Sequence, residues 1–258
     1  GSIDHWIING QVDTTHDAVV ALFTKSSACT GTIIHVNGGS AFVLTAAHCF
    51  GKGAIEVAVM GDNYQSPGAK QMGVTKYQVH PKYDSQQNTY DFAMLRVFGA
   101  SASTPVIPAL TPGEDQLKKG TIVDHVGYGL TSWPNGQTSQ RHHVLGPLNQ
   151  IAQIQISYNQ PTAGPCSGDS GGPNLVTTPN GERVAGVISY GDQECKQIGV
   201  SGRTSSVYTS FILPFIDNNG GSSTSSSSSS STSSGSTSSS SSSTSGQGGN
   251  TTTTSSSG

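Results

Sequence analysis

Ser170 lies in a glycine-rich segment, residues 164–173, with the sequence GPCSGDSGGP. A serine hydroxyl is a weak nucleophile at neutral pH, so a reactive serine needs a neighbouring base and hydrogen-bond donors for the oxyanion that it creates. Gly168, Gly171 and Gly172 permit backbone angles that side chains disfavour, so successive N–H groups near Ser170 can point into one small space. Such a run is ordinarily a surface turn, and only a histidine and an acid elsewhere in the chain would favour catalysis.

Two further stretches supply a base and an acid. The apolar run FVLTAA at residues 42–47 leads into His48 and Cys49, which places an imidazole at the end of a predicted strand. Imidazoles titrate at about pH 6.5 and therefore serve as general bases near neutrality. Asp91 opens the apolar run DFAMLRV, where its carboxylate can meet a histidine ring nitrogen and fix the tautomer. A lone histidine or acid is most often structural or exposed, so neither stretch indicates catalysis without the other motifs.

Together the three stretches resemble the chymotrypsin/trypsin-like serine protease family. That family carries GDSGGP around its nucleophile, TAAHC around its histidine and a D-[IF]-A-[ML]-L pattern at its aspartate, and this chain has all three in the family order. The resemblance implies that Ser170 attacks a peptide carbonyl, that His48 transfers the proton to the leaving amine, and that Asp91 orients the imidazolium. It also implies an oxyanion hole formed by the N–H groups of Gly168 and Ser170.

The string IING at residues 7–10 resembles the amino terminus that this family exposes on activation. The resemblance implies that residues 1–6 are a propeptide or N-terminal remnant, and that the ammonium group of a freed Ile7 pairs with the carboxylate of Asp169. Trp6 precedes the cut, where a basic residue is usual. Two apolar residues before a polar turn could equally begin any strand.

The resemblance also assigns a specificity pocket beside the nucleophile. Gly164 takes the floor position, six residues before the serine, and Gly191 and Ser206 take the wall positions. Ser189 and Tyr190, with Gly191, resemble the segment that pairs with an extended substrate backbone. Because no carboxylate stands at the floor, we expect cleavage after large apolar or aromatic side chains.

Cys29, Cys49, Cys166 and Cys195 allow three disulfide pairings, or a metal site. No close C-x-x-C pair is present, which disfavours the metal site. The resemblance selects Cys29 with Cys49 and Cys166 with Cys195. Disulfides indicate an oxidising compartment, so we expect a secreted or extracytoplasmic protein with no metal and no other cofactor.

Short apolar runs separated by glycine, asparagine, serine and proline predict an all-β fold, because no stretch keeps a helical period. The resemblance makes this fold a double antiparallel β-barrel. Its protease domain spans residues 7–219, with barrels at about residues 19–105 and 115–209 and a short C-terminal helix at residues 210–217. Strands are predicted at residues 19–23, 32–36, 42–45, 55–60, 73–80, 91–97, 121–126, 150–157, 183–190 and 205–209. His142 and His143 are expected in a solvated loop.

The chain of 258 residues has a net charge of −3, and the lack of a basic surplus argues against nucleic-acid binding. No apolar run reaches the roughly 20 residues that span a bilayer. Residues 220–258 are almost entirely serine, threonine and glycine, which predicts a disordered segment. This segment resembles the spacers that link exported proteases to sorting or cell-surface anchoring segments.

The expected partners are polypeptide substrates and an activating protease, and the expected oligomeric state is a monomer. The other function class compatible with these motifs is a catalytically silent homologue that binds a partner through the same double barrel.

Overall fold

The structure, a computed structural model, describes residues 7–132 and 134–220. The predictions of a propeptide at residues 1–6 and of a disordered tail after residue 220 lie outside the described residues. Within the described ranges the chain forms thirteen strands and one α-helix, α1 (Leu213–Asn219). The strands are β1 (Gln11–Val12), β2 (Val19–Phe23), β3 (Ala28–Asn37), β4 (Ser40–Thr45), β5 (Val57–Met60), β6 (Lys70–Val79), β7 (Ala93–Phe98), β8 (Ile122–Gly127), β9 (His142–Ile151), β10 (Gln155–Asn159), β11 (Pro173–Thr178), β12 (Gly181–Gly191) and β13 (Ile198–Arg203).

The strands form two closed antiparallel barrels, which confirms the predicted fold class. The first barrel has the order β2-β3-β4-β7-β6-β5. The second has the order β9-β10-β13-β12-β11-β8 and closes through pairing of β8 with β9, while β1 adds to the outer side of β9. No helix in the described residues is long and apolar enough to cross a membrane.

Buried strands of the first barrel fix the positions of two predicted site residues. Every residue of β4 is buried, and β4 pairs with β3 on one side and β7 on the other. In the β4–β7 register Thr45 lies opposite Ala93. His48 follows Thr45 closely and Asp91 closely precedes Ala93, so both lie beyond the same end of two adjacent strands.

The connection between the barrels is hydrogen-bonded to both of them. The N–H of Ile107 donates to the carbonyl of Ile33 in β3 at 3.0 Å, and the N–H of Leu110 donates to the carbonyl of Val184 in β12 at 2.9 Å. The proline-rich segment therefore packs along the two barrels.

Two strand predictions are wrong, and in both cases the spacing of the apolar residues explains the error. Residues 150–157 contain the end of β9, a tight turn and the start of β10, and the N–H of Ala152 donates to the carbonyl of Gln155 across that turn at 2.8 Å. The alternation of apolar residues and glutamines continues through the turn, so it conceals the break. Residues 205–209 are helical, because the buried Val207, Phe211 and Phe215 recur at helical spacing and pack on the core.

The predicted solvated loop at His142 and His143 is also wrong. Both residues belong to β9, where His142 is buried and the ring of His143 is 2.8 Å from a carboxylate oxygen of Asp124. The short C-terminal helix is confirmed. It follows a π-helical turn, Tyr208–Ile212, and extends to Asn219.

Candidate functional site

His48 and Asp91 form a direct pair at the end of the first barrel. The Nδ1 atom of His48 lies 2.6 Å from Oδ2 of Asp91, and the backbone N–H of His48 donates to Oδ1 at 2.9 Å. His48 lies in a short 3₁₀ turn, and the disulfide between Cys49 and Cys29 ties this turn to β3. Two contacts to one carboxylate fix the imidazole orientation and place the Nδ1 proton toward Asp91. The Nε2 atom is thereby left as the acceptor.

The Asp91 carboxylate stays ionised although it is 1% exposed. Burial would raise its pKa, but hydrogen bonds from His48 and Ser189, together with the charge of His48, lower that pKa below its ordinary value. The hydroxyl of Ser189 reaches Asp91 from β12, so this contact joins the two barrels. Asp91 is therefore a permanent anion beside the imidazole at neutral pH.

Ser170 lies on a turn that the first barrel holds through Thr30. The N–H of Thr30 donates to the carbonyl of Ser170 at 2.9 Å, and the Oγ1 atom of Thr30 donates to the carbonyl of Gly168 at 2.9 Å. The same oxygen accepts the N–H of Tyr128 at 3.2 Å. Thr30 is fully buried in β3. Thr30 thus fixes the carbonyls on both sides of Asp169, that of Gly168 through its hydroxyl and that of Ser170 through its backbone N–H.

His48 and the backbone of Ser170 both lie beside one disulfide, and no hydrogen bond joins the two side chains in the structure. The carbonyl oxygen of Ser170 lies 3.7 Å from Sγ of Cys49. A ring nitrogen of His48 lies within 4.8 Å of that sulfur and of Sγ of Cys29. These sulfurs are bonded to each other, so they offer no thiolate to a metal. In the described part of the chain no other group has metal-ligand spacing.

Two backbone N–H groups beside Ser170 have no hydrogen-bond acceptor among the described residues. Among the described residues, the N–H groups of Gly168 and Ser170 donate no hydrogen bond. Their directions are set by the carbonyls of the same peptide units, since N–H and C=O point in opposite directions in a trans peptide. The carbonyl of Ser167 accepts from Leu130 at 2.7 Å, and the carbonyl of Asp169 accepts from Gly172 at 2.8 Å. Gly168 reaches this geometry with a φ of 96°.

A cavity of about 290 Å³ opens beside Ser170, and we call it the specificity cavity. The predicted residues Ser189, Tyr190 and Gly191 line it, as do residues that the sequence did not point to. These additional lining residues include Tyr158, Gln160, Asp192 and Gly199. A larger cavity, of about 720 Å³, lies beside α1 and contains none of the predicted site residues.

The structure does not bring Ser206 to the specificity cavity. Ser206 lies in the helical turn after β13, its hydroxyl donates to the carbonyl of Arg203 at 2.6 Å, and it lines a different cavity. The wall position belongs instead to Gly199, which lies opposite Gly191 in the β12–β13 register. The prediction failed because residues 205–209 are helical, which moves the last barrel strand towards the N-terminus.

Gly164 does not line the cavity, and the space where its side chain would lie is filled by another residue. A Cβ atom at Gly164 would lie 2.6 Å from both Cβ and Oε1 of Gln160. The glycine at the predicted floor position therefore leaves room for a glutamine side chain. No sequence motif indicated this contact, because Gln160 follows β10, the strand whose register the alternation concealed.

Asp169 and Ile7 are both fully buried. The Asp169 carboxylate accepts the N–H of Gly129 at 2.8 Å and the N–H of Cys166 at 2.9 Å, and no cation of the described residues pairs with it. Burial raises the pKa of Asp169 to about 7, and the two backbone hydrogen bonds oppose that rise. The carbonyl of Ile8 accepts the N–H of Gly164 at 3.1 Å, so the segment after Ile7 packs against the loop under the specificity cavity.

The comparisons with known proteins agree with this architecture. The Trypsin family model matches residues 7–214. Trypsin 5G1 of Aedes aegypti is 30% identical over 190 residues, which cover 65% of this chain and 70% of that protein. A venom protease of Bombus pensylvanicus is 29% identical over 200 residues, which cover 68% of this chain and 82% of that protein.

A match to vitamin K-dependent protein C of Rattus norvegicus is 26% identical over 216 residues, or 72% of this chain. The chain spans about half of that relative, 46% of its length. The family match covers both barrels and every residue of the site described above. The chain therefore belongs to the trypsin family and is a serine endopeptidase.

Proposed function

We propose that this protease hydrolyses peptide bonds through a triad of His48, Asp91 and Ser170. The observation that carries the proposal is the His48–Asp91 pair, with Nδ1 and Oδ2 at 2.6 Å, beside a cavity that Ser170 lines. His48 takes the hydroxyl proton of Ser170 through Nε2 as the oxygen attacks the carbonyl, and it returns that proton to the leaving amine. Asp91 stabilises the imidazolium that forms between the two steps.

The oxyanion of the tetrahedral intermediate is held by the N–H groups of Gly168 and Ser170. The support for this role is that neither group donates elsewhere among the described residues. Preorganised donors of this kind stabilise developing charge without reorganisation at the moment of reaction, and losing one typically costs about 10²–10³ in kcat.

The chain is active after cleavage before Ile7. The ammonium group so created enters the space beside Asp169 and pairs with its carboxylate. The support is the burial of Asp169 without a cation partner among the described residues, because an isolated buried carboxylate is unfavourable when ionised. The protease that makes the cut must accept Trp6 where a basic residue is usual, so activation of the tryptic kind is not expected.

Substrates are cleaved after large uncharged side chains, apolar or aromatic. Gly191 and Gly199 line the cavity without side chains, and Gly164 brings no carboxylate to the predicted floor position. Burying a large apolar side chain there contributes roughly 1.5–3 kcal/mol.

The two disulfides suit an oxidising environment, so the protein acts outside the cytoplasm as a secreted monomer. The protease domain ends near residue 219, and the serine-rich segment after it serves as a spacer or a link to a cell-surface anchor.

The test is digestion of a peptide library by a chain whose residues 1–6 are replaced by a removable cleavage sequence. The cut wild type should cleave mainly after large uncharged residues, and Ser170→Ala should lower kcat by about 10⁴–10⁶. Ser103→Ala, which changes an exposed serine far from the site, is the matched control. Comparable turnover by Ser170→Ala would assign the activity to another residue.

A further inference from the structure

We propose that Gln160 is a specificity-determining residue, which selects uncharged substrate side chains that end in an N–H or O–H donor. The inference rests on the proposed function, because it concerns the substrate side chain directly before the scissile bond. Within the class of large uncharged side chains it favours tyrosine over phenylalanine and glutamine over methionine.

The position of Gln160 is fixed from two sides. Its backbone N–H donates to the carbonyl of Gln197 at 3.0 Å, and its Nε2 atom donates to the carbonyl of Pro165 at 3.2 Å. The residue is 2% exposed and lines the specificity cavity. The amide is therefore held at its nitrogen end beside the cavity floor.

The oxygen end of the same amide has no donor. Oε1 of Gln160 is buried and accepts no hydrogen bond from any described residue. Buried acceptors are nearly always paired in native proteins, since an unpaired one loses its hydration without compensation. A substrate side chain that brings a donor to the cavity floor supplies the missing bond.

The charges around the cavity restrict that donor to an uncharged group. Asp192 is the only ionisable acid among the lining residues, and its carboxylate already accepts the N–H groups of Lys196, Gln197 and Ile198 at 2.8–3.0 Å. The Asp192 anion is thus already stabilised by three N–H groups and gains little from a substrate cation, whereas a substrate carboxylate meets the unpaired acceptor of Gln160.

The far end of the cavity is closed by Tyr158. A Cβ atom at Gly199 would lie 2.2–2.7 Å from the Tyr158 ring and its hydroxyl, so the ring packs directly on that glycine. The hydroxyl lies 3.4 Å from Oγ of Ser201 and makes no hydrogen bond to Oε1 of Gln160. Among the lining groups at the floor, the Gln160 amide therefore offers the unsatisfied acceptor.

The experiment compares matched substrates and matched variants of the cut enzyme. Two peptide pairs differ only before the scissile bond, tyrosine against phenylalanine and glutamine against methionine. The wild type should favour the donor-bearing member of each pair by about tenfold in kcat/KM, which is the value of one neutral hydrogen bond. Gln160→Met keeps the length of the side chain and removes the acceptor, so both preferences should fall to near unity. Gln160→Glu adds a carboxylate and should shift cleavage towards lysine and arginine.

The controls separate this inference from the proposed function. Labelling of Ser170 by a fluorophosphonate, together with cleavage of any peptide, tests the proposed function alone. Labelled wild-type enzyme that cleaves both members of each pair equally overturns the role of Gln160, even where the variants fail to fold. Unchanged ratios in a folded Gln160→Met variant overturn it as well.

Discussion

Thr30 is the residue through which the first barrel holds the nucleophile turn. Its hydroxyl donates to the carbonyl of Gly168 and accepts the N–H of Tyr128, at 2.9 and 3.2 Å, and all three residues are distant in sequence. Because these bonds orient the peptide units next to the N–H groups that we propose as oxyanion donors, the role of Thr30 is one of positioning.

We expect Thr30→Val to lower kcat by about tenfold or more while KM stays near its original value, because the bonds lost are worth about 1 kcal/mol each. Thr30→Ser keeps the hydroxyl and should retain most of kcat. Steady-state kinetics on one peptide substrate decide the matter. A Thr30→Val enzyme with the wild-type kcat would show that the turn is held without this side chain.

At this scale the sequence motifs predicted His48, Asp91, Ser170 and their neighbours, because the residues that identify each of them are contiguous. Thr30 and Gln160 act through contacts that no local pattern contains. Thr30 meets Gly168 across a separation of 138 residues, and Gln160 reaches the floor only because Gly164 has no side chain.

Arg141, the residue directly before β9, anchors the segment that precedes the first barrel. This guanidinium is fully buried, with Nε 2.6 Å from a carboxylate oxygen of Asp13 and Nη2 3.0 Å from carboxylate oxygens of both Asp17 and Asp62. The ion pairs join the N-terminal segment, β9 and the loop after β5.

Arg141→Met should destabilise the folded state by about 3–5 kcal/mol, because it removes a buried cation and leaves the buried Asp13 carboxylate with His16 as its remaining ion-pair partner. The matched control is Lys25→Met, which removes an ion pair with Glu56 in which the side chains are 84% and 58% exposed. The free energy of unfolding lost in Lys25→Met should lie near zero, because ion pairs on the surface contribute little. Urea unfolding measures both values. A loss below about 1 kcal/mol for Arg141→Met would contradict a structural role for the cluster.

The apolar pattern of the sequence was sufficient to predict some strands and insufficient for others. Strand β2 was predicted with its observed bounds, because turn residues delimit its apolar run on both sides. Strands β9 and β10 were merged into one, and β11 and β13 were missed. Their sequences, PNLVTT and IGVSGR, contain proline, asparagine and glycine, which sequence rules read as turn residues. Pairing with long neighbouring strands outweighs those local preferences.

Over the whole molecule, the uncut chain has a buried charge that cleavage is expected to neutralise. The pKa of Asp169 is raised to about 7 by burial, above its unfolded value of 3.8. A raised carboxyl pKa means that the folded state keeps its proton to higher pH than the unfolded state. Folding stability therefore falls as pH rises from about 4 to about 7, by a few kcal/mol in order of magnitude.

We expect the uncut chain to lose stability between about pH 4 and pH 7, and the Asp169→Asn variant to lose much less over the same range. The difference between the two slopes isolates Asp169, because every other titrating group is shared. Chemical unfolding at several pH values, with residues 1–6 shown to be intact by mass spectrometry, makes the comparison. Parallel pH profiles would show that Asp169 is not the group responsible.

The measurement that tests the central claim most directly is covalent labelling with a fluorophosphonate, followed by peptide mapping. The triad and activation proposals predict an adduct on Ser170 in the cut chain, much slower labelling of the uncut chain, and almost none in His48→Gln. Peptide cleavage should disappear in parallel with labelling. An adduct on another serine, or equal labelling of the cut and His48→Gln proteins, would contradict the mechanism proposed for this protease.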